Sequence, residues 1–213
     1  MPKHAFRFPP EVGAAVKQHV RRAIEAVDPS RYRQEANYTA ALVSQLEGVA
    51  YQGQHGSVEF RSTVFDDRAA GSAESRYGAD FAITATVSDG TTTIRKAILV
   101  QAKLGDLDDM SAADAEFLRS QIEKMKQLVD APKVMEIPEH SGHRYPAMVS
   151  GNNVLDHEPY TRMELPEYFT ARVTTTLDGA TERGVVDAVQ DSSLPRVDVL
   201  AKLRQKGLTK RWN

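Results

Sequence analysis

The chain reads as an α/β (α+β) protein with a mixed central sheet flanked by helices, and three observations carry that expectation. From 79 to 87 the odd positions are Ala79, Phe81, Ile83, Ala85 and Val87 while the even ones are Asp80, Ala82, Thr84 and Thr86, the period of two of a strand. Ala97 to Leu104 repeats the alternation with Ile98, Val100, Ala102 and Leu104, and Ser88-Asp89-Gly90-Thr91 between the two runs is a hairpin signal. Helical stripes stand on both sides of this pair, the arrangement that covers a sheet with helices.

Taken in order, a first helix is expected from about Glu11 to Val27 behind Pro9-Pro10, with Val12, Val16, Val20, Ile24 and Val27 on one stripe. A stripe of this spacing reads as core, and a helix before the main run also offers a place for homodimer contacts. Gln34 to Glu47 carries Tyr38, Leu42, Val43 and Leu46 at helical spacing and ends at Gly48. After the hairpin, Asp109-Met110-Ser111 caps a helix to about Val129 whose core face is Phe117, Leu118, Ile122, Met125 and Leu128. Tyr145 to Ser150 is expected to extend the sheet past that crossover. A last helix is expected from near Pro195, with Val197, Val199, Leu200 and Leu203 inward, stopping at Gly207.

The hairpin gathers chemistry. If the apolar faces of both strands share one core, Asp80, Gln101 and Lys103 project together from the other face. A loop closed around Asp89-Gly90 would pair 80 with 99 and leave Gln101 on the diagonal. A magnesium ion takes oxygen ligands at about 2.0–2.1 Å, and Asp80, Gln101 and the main-chain carbonyl of Ala102 form a half-shell of that kind. Lys103, on the same face, is placed to help deprotonate a water or to stabilise charge on a phosphorus centre.

At Gly78-Ala79-Asp80 and Gln101-Ala102-Lys103 the chain resembles the PD-(D/E)xK nuclease superfamily, with Gln101 where the usual pattern has a second acid and Ala79 where it has proline. The resemblance runs over residues 31 to 150 and looks closest to nuclease modules of bacterial antiphage systems. It implies a restriction-endonuclease-like core, cleavage of DNA with Mg²⁺ or Mn²⁺, and a regulatory or defence-system partner. It further implies an acid on the helix before the motif strands that completes the metal site, assigned to Glu35 at the helix start, and a phosphate- or water-facing Gln121 on the helix after them. Glu74, six residues before Asp80, is a further candidate ligand.

Composition bounds the alternatives. At 213 residues and 41% hydrophobic content the chain can bury a sizeable core, read as one nuclease domain: a helix in 1–30, the core in 31–150 and an extension in 151–213. The absence of cysteine excludes disulfide scaffolds and thiolate zinc sites and suits a cytoplasmic protein. No long apolar segment follows the basic residues of the N-terminus, so no membrane anchor is expected. A net charge of −2 argues against a general grip on duplex phosphate, which leaves Lys202, Arg204, Lys206, Lys210 and Arg211 in the tail as the nucleic-acid-binding candidates. Two other readings stand beside the nuclease: a catalytically inactive subunit that binds nucleic acid or partner proteins, and a zinc protein using Glu139, His140, His143, Asp156, His157 and Glu158. No Walker loop, dinucleotide turn or nucleophile elbow is present.

Overall fold

The computed structural model describes residues 6–64, 76–139 and 145–204. Among them, eight strands form one mixed sheet: β1 (Gly48–Gly53), β2 (Gly56–Thr63), β3 (Phe81–Ser88), β4 (Thr93–Leu104), β5 (Lys133–Ile137), β6 (Ala147–Ser150), β7 (Met163–Glu164) and β8 (Arg196–Leu203). Their order is β1-β2-β8-β3-β4-β5-β6-β7. Neighbours are antiparallel except β8 beside β3 and β4 beside β5.

Helices cover both faces. On one side lie α1 (Pro10–Glu25), α2 (Glu35–Gln45) and α5 (Leu165–Tyr168), the last running into a π turn at Phe169–Val173. On the other lie α3 (Ala112–Lys126), α4 (Gly151–Leu155) and α6 (Arg183–Gln190). The 16-residue α1 starts with proline in its first turn, where the missing N–H costs no hydrogen bond, and Val12, Val16, Val20 and Ile24 are buried. An isolated helix of that length is marginal in water, so burial of the stripe is what holds it. The stripe is therefore core. Ser111 caps α3 by accepting from the Asp114 N–H, and Leu118, Ile122 and Met125 enter the core as expected, but Phe117 points out and is 60% exposed.

Helices on both faces change the character of β3 and β4. The second face is not solvated: Ala82, Ala97 and Leu99 are buried in the cluster with α3 and α6 as firmly as Phe81 and Val100 are on the other side. The hairpin register differs from the expected one. Ser88 pairs with Thr93 and Phe81 with Val100, so Asp80 stands opposite Gln101 and not diagonal to it. The reason lies in the turn, where Asp89 closes a four-residue loop by accepting from the N–H groups of Thr91 and Thr92.

One further expectation is corrected, and another holds with a strand added before it. The segment from Arg196 is not a helix but the central strand β8, paired to β2 over eight positions and to β3 over seven. Val197, Val199 and Ala201 alternate into the core with period two, and two of them are β-branched. The crossover from β4 through α3 returns to β5, parallel to β4, and Ala147–Ser150 lies one strand further out and antiparallel. Truncation after Leu194 removes a strand hydrogen-bonded on both edges; the expected outcome is loss of the cooperative thermal transition in far-UV circular dichroism, not a folded protein with a shorter tail.

Candidate active site

The site is built on the approach to β3. Gly78 adopts φ +70°, and a Cβ there would meet the Gln121 carbonyl oxygen at 2.5 Å and the Lys124 Cβ at 3.0 Å. Only glycine lets the chain pass this close to α3 while turning through the left-handed region. Two residues later the Asp80 N–H donates to the Val100 carbonyl at 2.9 Å and opens the ladder. Asp80 is 7% exposed, and its Oδ2 accepts from the Ala102 N–H at 2.7 Å and from Gln101 Nε2 at 2.5 Å. The same Nε2 donates to the Ala102 carbonyl at 3.2 Å.

The amide of Gln101 thus stands between the Asp80 carboxylate and the Ala102 carbonyl as a positively polarised group flanked by two oxygens. Its own Oε1 is buried without a hydrogen-bond partner among the described residues, and so is Oε1 of Gln121 on α3. A buried carbonyl oxygen left unmatched costs about 1–3 kcal/mol. Rotation of the Gln101 side-chain amide by half a turn would direct a third oxygen at the same point, so the donor set is of the oxygen type that suits Mg²⁺ or Mn²⁺.

Lys103 and Glu35 form the second half of the site. Glu35 is the first residue of α2, where a carboxylate complements the helix dipole. Its Oε2 accepts from Lys103 Nζ at 3.1 Å and its Oε1 from the Leu104 N–H at 3.1 Å. The structure therefore joins Glu35 to Lys103 and the Leu104 N–H, not to the expected metal ligands, while Asp80 is joined to Gln101 and Ala102. The lysine side chain is 12% exposed, and its ammonium also lies 5.7 Å from the centroid of the Phe117 ring. The run 101–104 at the end of β4 links the two halves.

Sequence reasoning missed Glu136 and Arg162. Glu136 lies on β5 opposite Lys103 and is 4% exposed. Its carboxylate accepts from Arg162 Nε at 3.1 and 3.0 Å, and from the Leu107 N–H at 3.3 Å. Arg162 also reaches Asp106 at 2.7 Å and Asp108 at 3.0 Å. Burial works against the charge of Arg162, but the bonds to Asp108 and Glu136 outweigh it and hold its pKa above the ordinary value. The Tyr160 hydroxyl donates to Asp108 at 2.5 Å; that bond, then the one from Arg162, keeps the Asp108 carboxyl below the usual carboxylate range. Burial and the same hydrogen bond push Tyr160 up to about 12. The one signal available in advance was an acid inside the apolar run Val134, Met135, Ile137; nothing in the sequence marked Arg162.

Scans against protein-family models, curated proteins and solved structures return no match. The remaining candidates separate by position. Glu74, His140, His143, Lys206, Lys210 and Arg211 lie outside the described residues. Gln121 is 8% exposed on α3, its main chain against Gly78. Lys202 pairs across from Ser88, at the far end of β3 from Asp80, which puts it about 26 Å away at 3.3 Å per residue, and Arg204 lies beyond it. His157 and Glu158 line a pocket of about 410 Å³ with Asp108, Arg119 and Tyr160. Among the described residues no three His, Cys, Asp or Glu side chains are grouped to hold a metal ion, and no helix is long and apolar enough to cross a membrane.

Two outcomes follow from these contacts. Gly78→Ala forces either a strained left-handed alanine or a shift of α3, with an expected stability loss of about 1–3 kcal/mol read from the urea midpoint. For Asp108, whose folded pKa is depressed, the stabilisation is complete above the ordinary carboxylate pKa of about 4 and is lost as pH falls through the lower folded value. Asp108→Asn is therefore expected to lower Tm at pH 7 and to narrow the gap in Tm between pH 7 and pH 3.

Proposed function

We propose that this protein is a divalent-cation-dependent nuclease of the PD-(D/E)xK type that hydrolyses phosphodiester bonds in DNA. The observation that carries the reading is the convergence of the Asp80 carboxylate and the Ala102 carbonyl on the Gln101 amide, with Lys103 two residues on and held by Glu35. The resemblance to nuclease modules of antiphage systems extends the proposal to a defence effector.

Asp80, Gln101 Oε1 and the Ala102 carbonyl are the groups that would hold Mg²⁺ or Mn²⁺, and the bound ion would supply Lewis-acid activation of the phosphate and of a water. The chain supplies the rest. Asp80 brings the negative charge, and strands buried on both faces fix its direction, so little reorganisation is needed when substrate arrives. Lys103 offers ammonium protons to the charge that develops on the phosphate oxygens. Glu35 positions that ammonium and at the same time satisfies the Leu104 N–H, tying the start of α2 to the end of β4.

A second reading, a catalytically inactive subunit binding nucleic acid or partner proteins, draws on the same contacts, because the Gln101 amide already satisfies Asp80 without an ion. Purified protein with supercoiled plasmid separates the two. The nuclease reading expects nicking with Mg²⁺ or Mn²⁺ that EDTA abolishes, and a fall of about 100- to 10,000-fold in Asp80→Ala and Lys103→Ala. Cleavage unchanged in both variants overturns it. Folded wild-type protein that neither cleaves nor binds Mn²⁺ in calorimetry supports the inactive subunit.

A further inference from the structure

Phe117 is the feature of α3 that the core does not explain. Its neighbours Leu118 and Ile122 are 1% and 0% exposed, whereas Phe117 is 60% exposed, and each of the other phenylalanines among the described residues is buried or half-buried. A lone exposed apolar side chain is ordinary on a protein surface. This one is not placed at random: Lys103 Nζ lies 5.7 Å from its ring centroid, and Gln121, one helical turn on, rests its main chain against Gly78 at the entrance to Asp80. An aromatic ring therefore stands beside the ammonium group of the candidate site, with most of its surface open to solvent.

We propose that Phe117 is a stacking platform for an unpaired nucleobase, so that the preferred substrate is a nucleotide chain whose base at the site is not paired; the inference rests on the nuclease reading above. Three observations favour this occupant. The net charge of −2 leaves little general attraction for duplex phosphate, whereas base–aromatic stacking needs no charge and accepts any base. The cation beside the ring is Lys103, the residue assigned to the phosphate, so a base on Phe117 and its phosphate at Lys103 belong to one nucleotide unit. The local acid Glu116 is drawn to Arg119 at 2.7 Å, which offsets its repulsion of a phosphate chain.

The test is a binding titration in EDTA, where no cleavage occurs, using a single-stranded oligonucleotide that carries 2-aminopurine. Wild-type protein is expected to quench the probe by stacking. Phe117→Ala should weaken binding about 5- to 100-fold and abolish the quenching, Phe117→Tyr should keep both, and all three proteins should melt alike because the side chain is exposed. A matched blunt duplex should bind weakly and respond little to Phe117→Ala. Equal affinity and quenching in Phe117→Ala, or no single-strand binding by wild type, overturns the proposal. Plasmid nicking lost in Asp80→Ala but a titration indifferent to Phe117 sinks this inference alone; nicking indifferent to Asp80 sinks the nuclease reading, and with it the placing of Phe117 at an active site.

Discussion

The structure turns on a carboxylate placed where water barely reaches. Asp80 sits at the head of a strand in a sheet covered on both faces, and an ionised carboxylate there is tolerated only if hydrogen-bond donors meet it. The Ala102 N–H and the Gln101 amide meet it. Both are available because the β3–β4 register puts Phe81 against Val100, and a slip by one residue would send every side chain of the hairpin to the opposite face. The Asx loop at Asp89, the close pass of Gly78 over α3 and the packing on both faces all serve to hold that register.

A second consequence of the layered arrangement is that the site draws on both helical layers. Lys103 follows Gln101 on the α3 side of β4 and lies beside Phe117 of that layer, yet its ammonium bonds to Glu35, which begins a helix of the opposite layer. This is possible only at the end of the strand, where the sheet stops and a long side chain can reach around its edge. On the neighbouring strand Glu136 is neutralised by Arg162, which also gathers Asp106 and Asp108 and so fixes the loop that leads from β4 to α3. The charge beside Lys103 is thereby settled within the fold.

Much of this frame was legible in the residues. The stripes of α1 and α2, the cap of α3 and its core positions Leu118, Ile122 and Met125 came from period and capping alone, because one face of each helix is buried and the other solvated. The alternation of β3 and β4 was also plain. Residues 197–203 were not decided by pattern: Val197, Leu200 and Leu203 satisfy a helical spacing, while Val197, Val199 and Ala201 satisfy a strand, and the hydrogen bonds offered by β2 and β3 settle the matter. β5 was missed because a short parallel strand buried on both faces carries no alternation to read. Phe117 was placed in the core because it borders the apolar stripe, and the helix rotation that seats Leu118 leaves it outside.

What the sequence determined by itself was local: which segments alternate with period two, which with 3.6, where the hairpin turns, and that Asp80, Gln101 and Lys103 belong to one sheet face. What the tertiary structure alone decided was everything that depends on partners distant in the chain. The insertion of β8 between β2 and β3, the pairing of Glu35 with Lys103 and the Glu136–Arg162 cluster arise from contacts between residues 26 to 147 positions apart, whose geometry is set by sheet pairing and helix packing. Local periodicity reports the environment of a side chain; it carries no record of which distant group will share that environment.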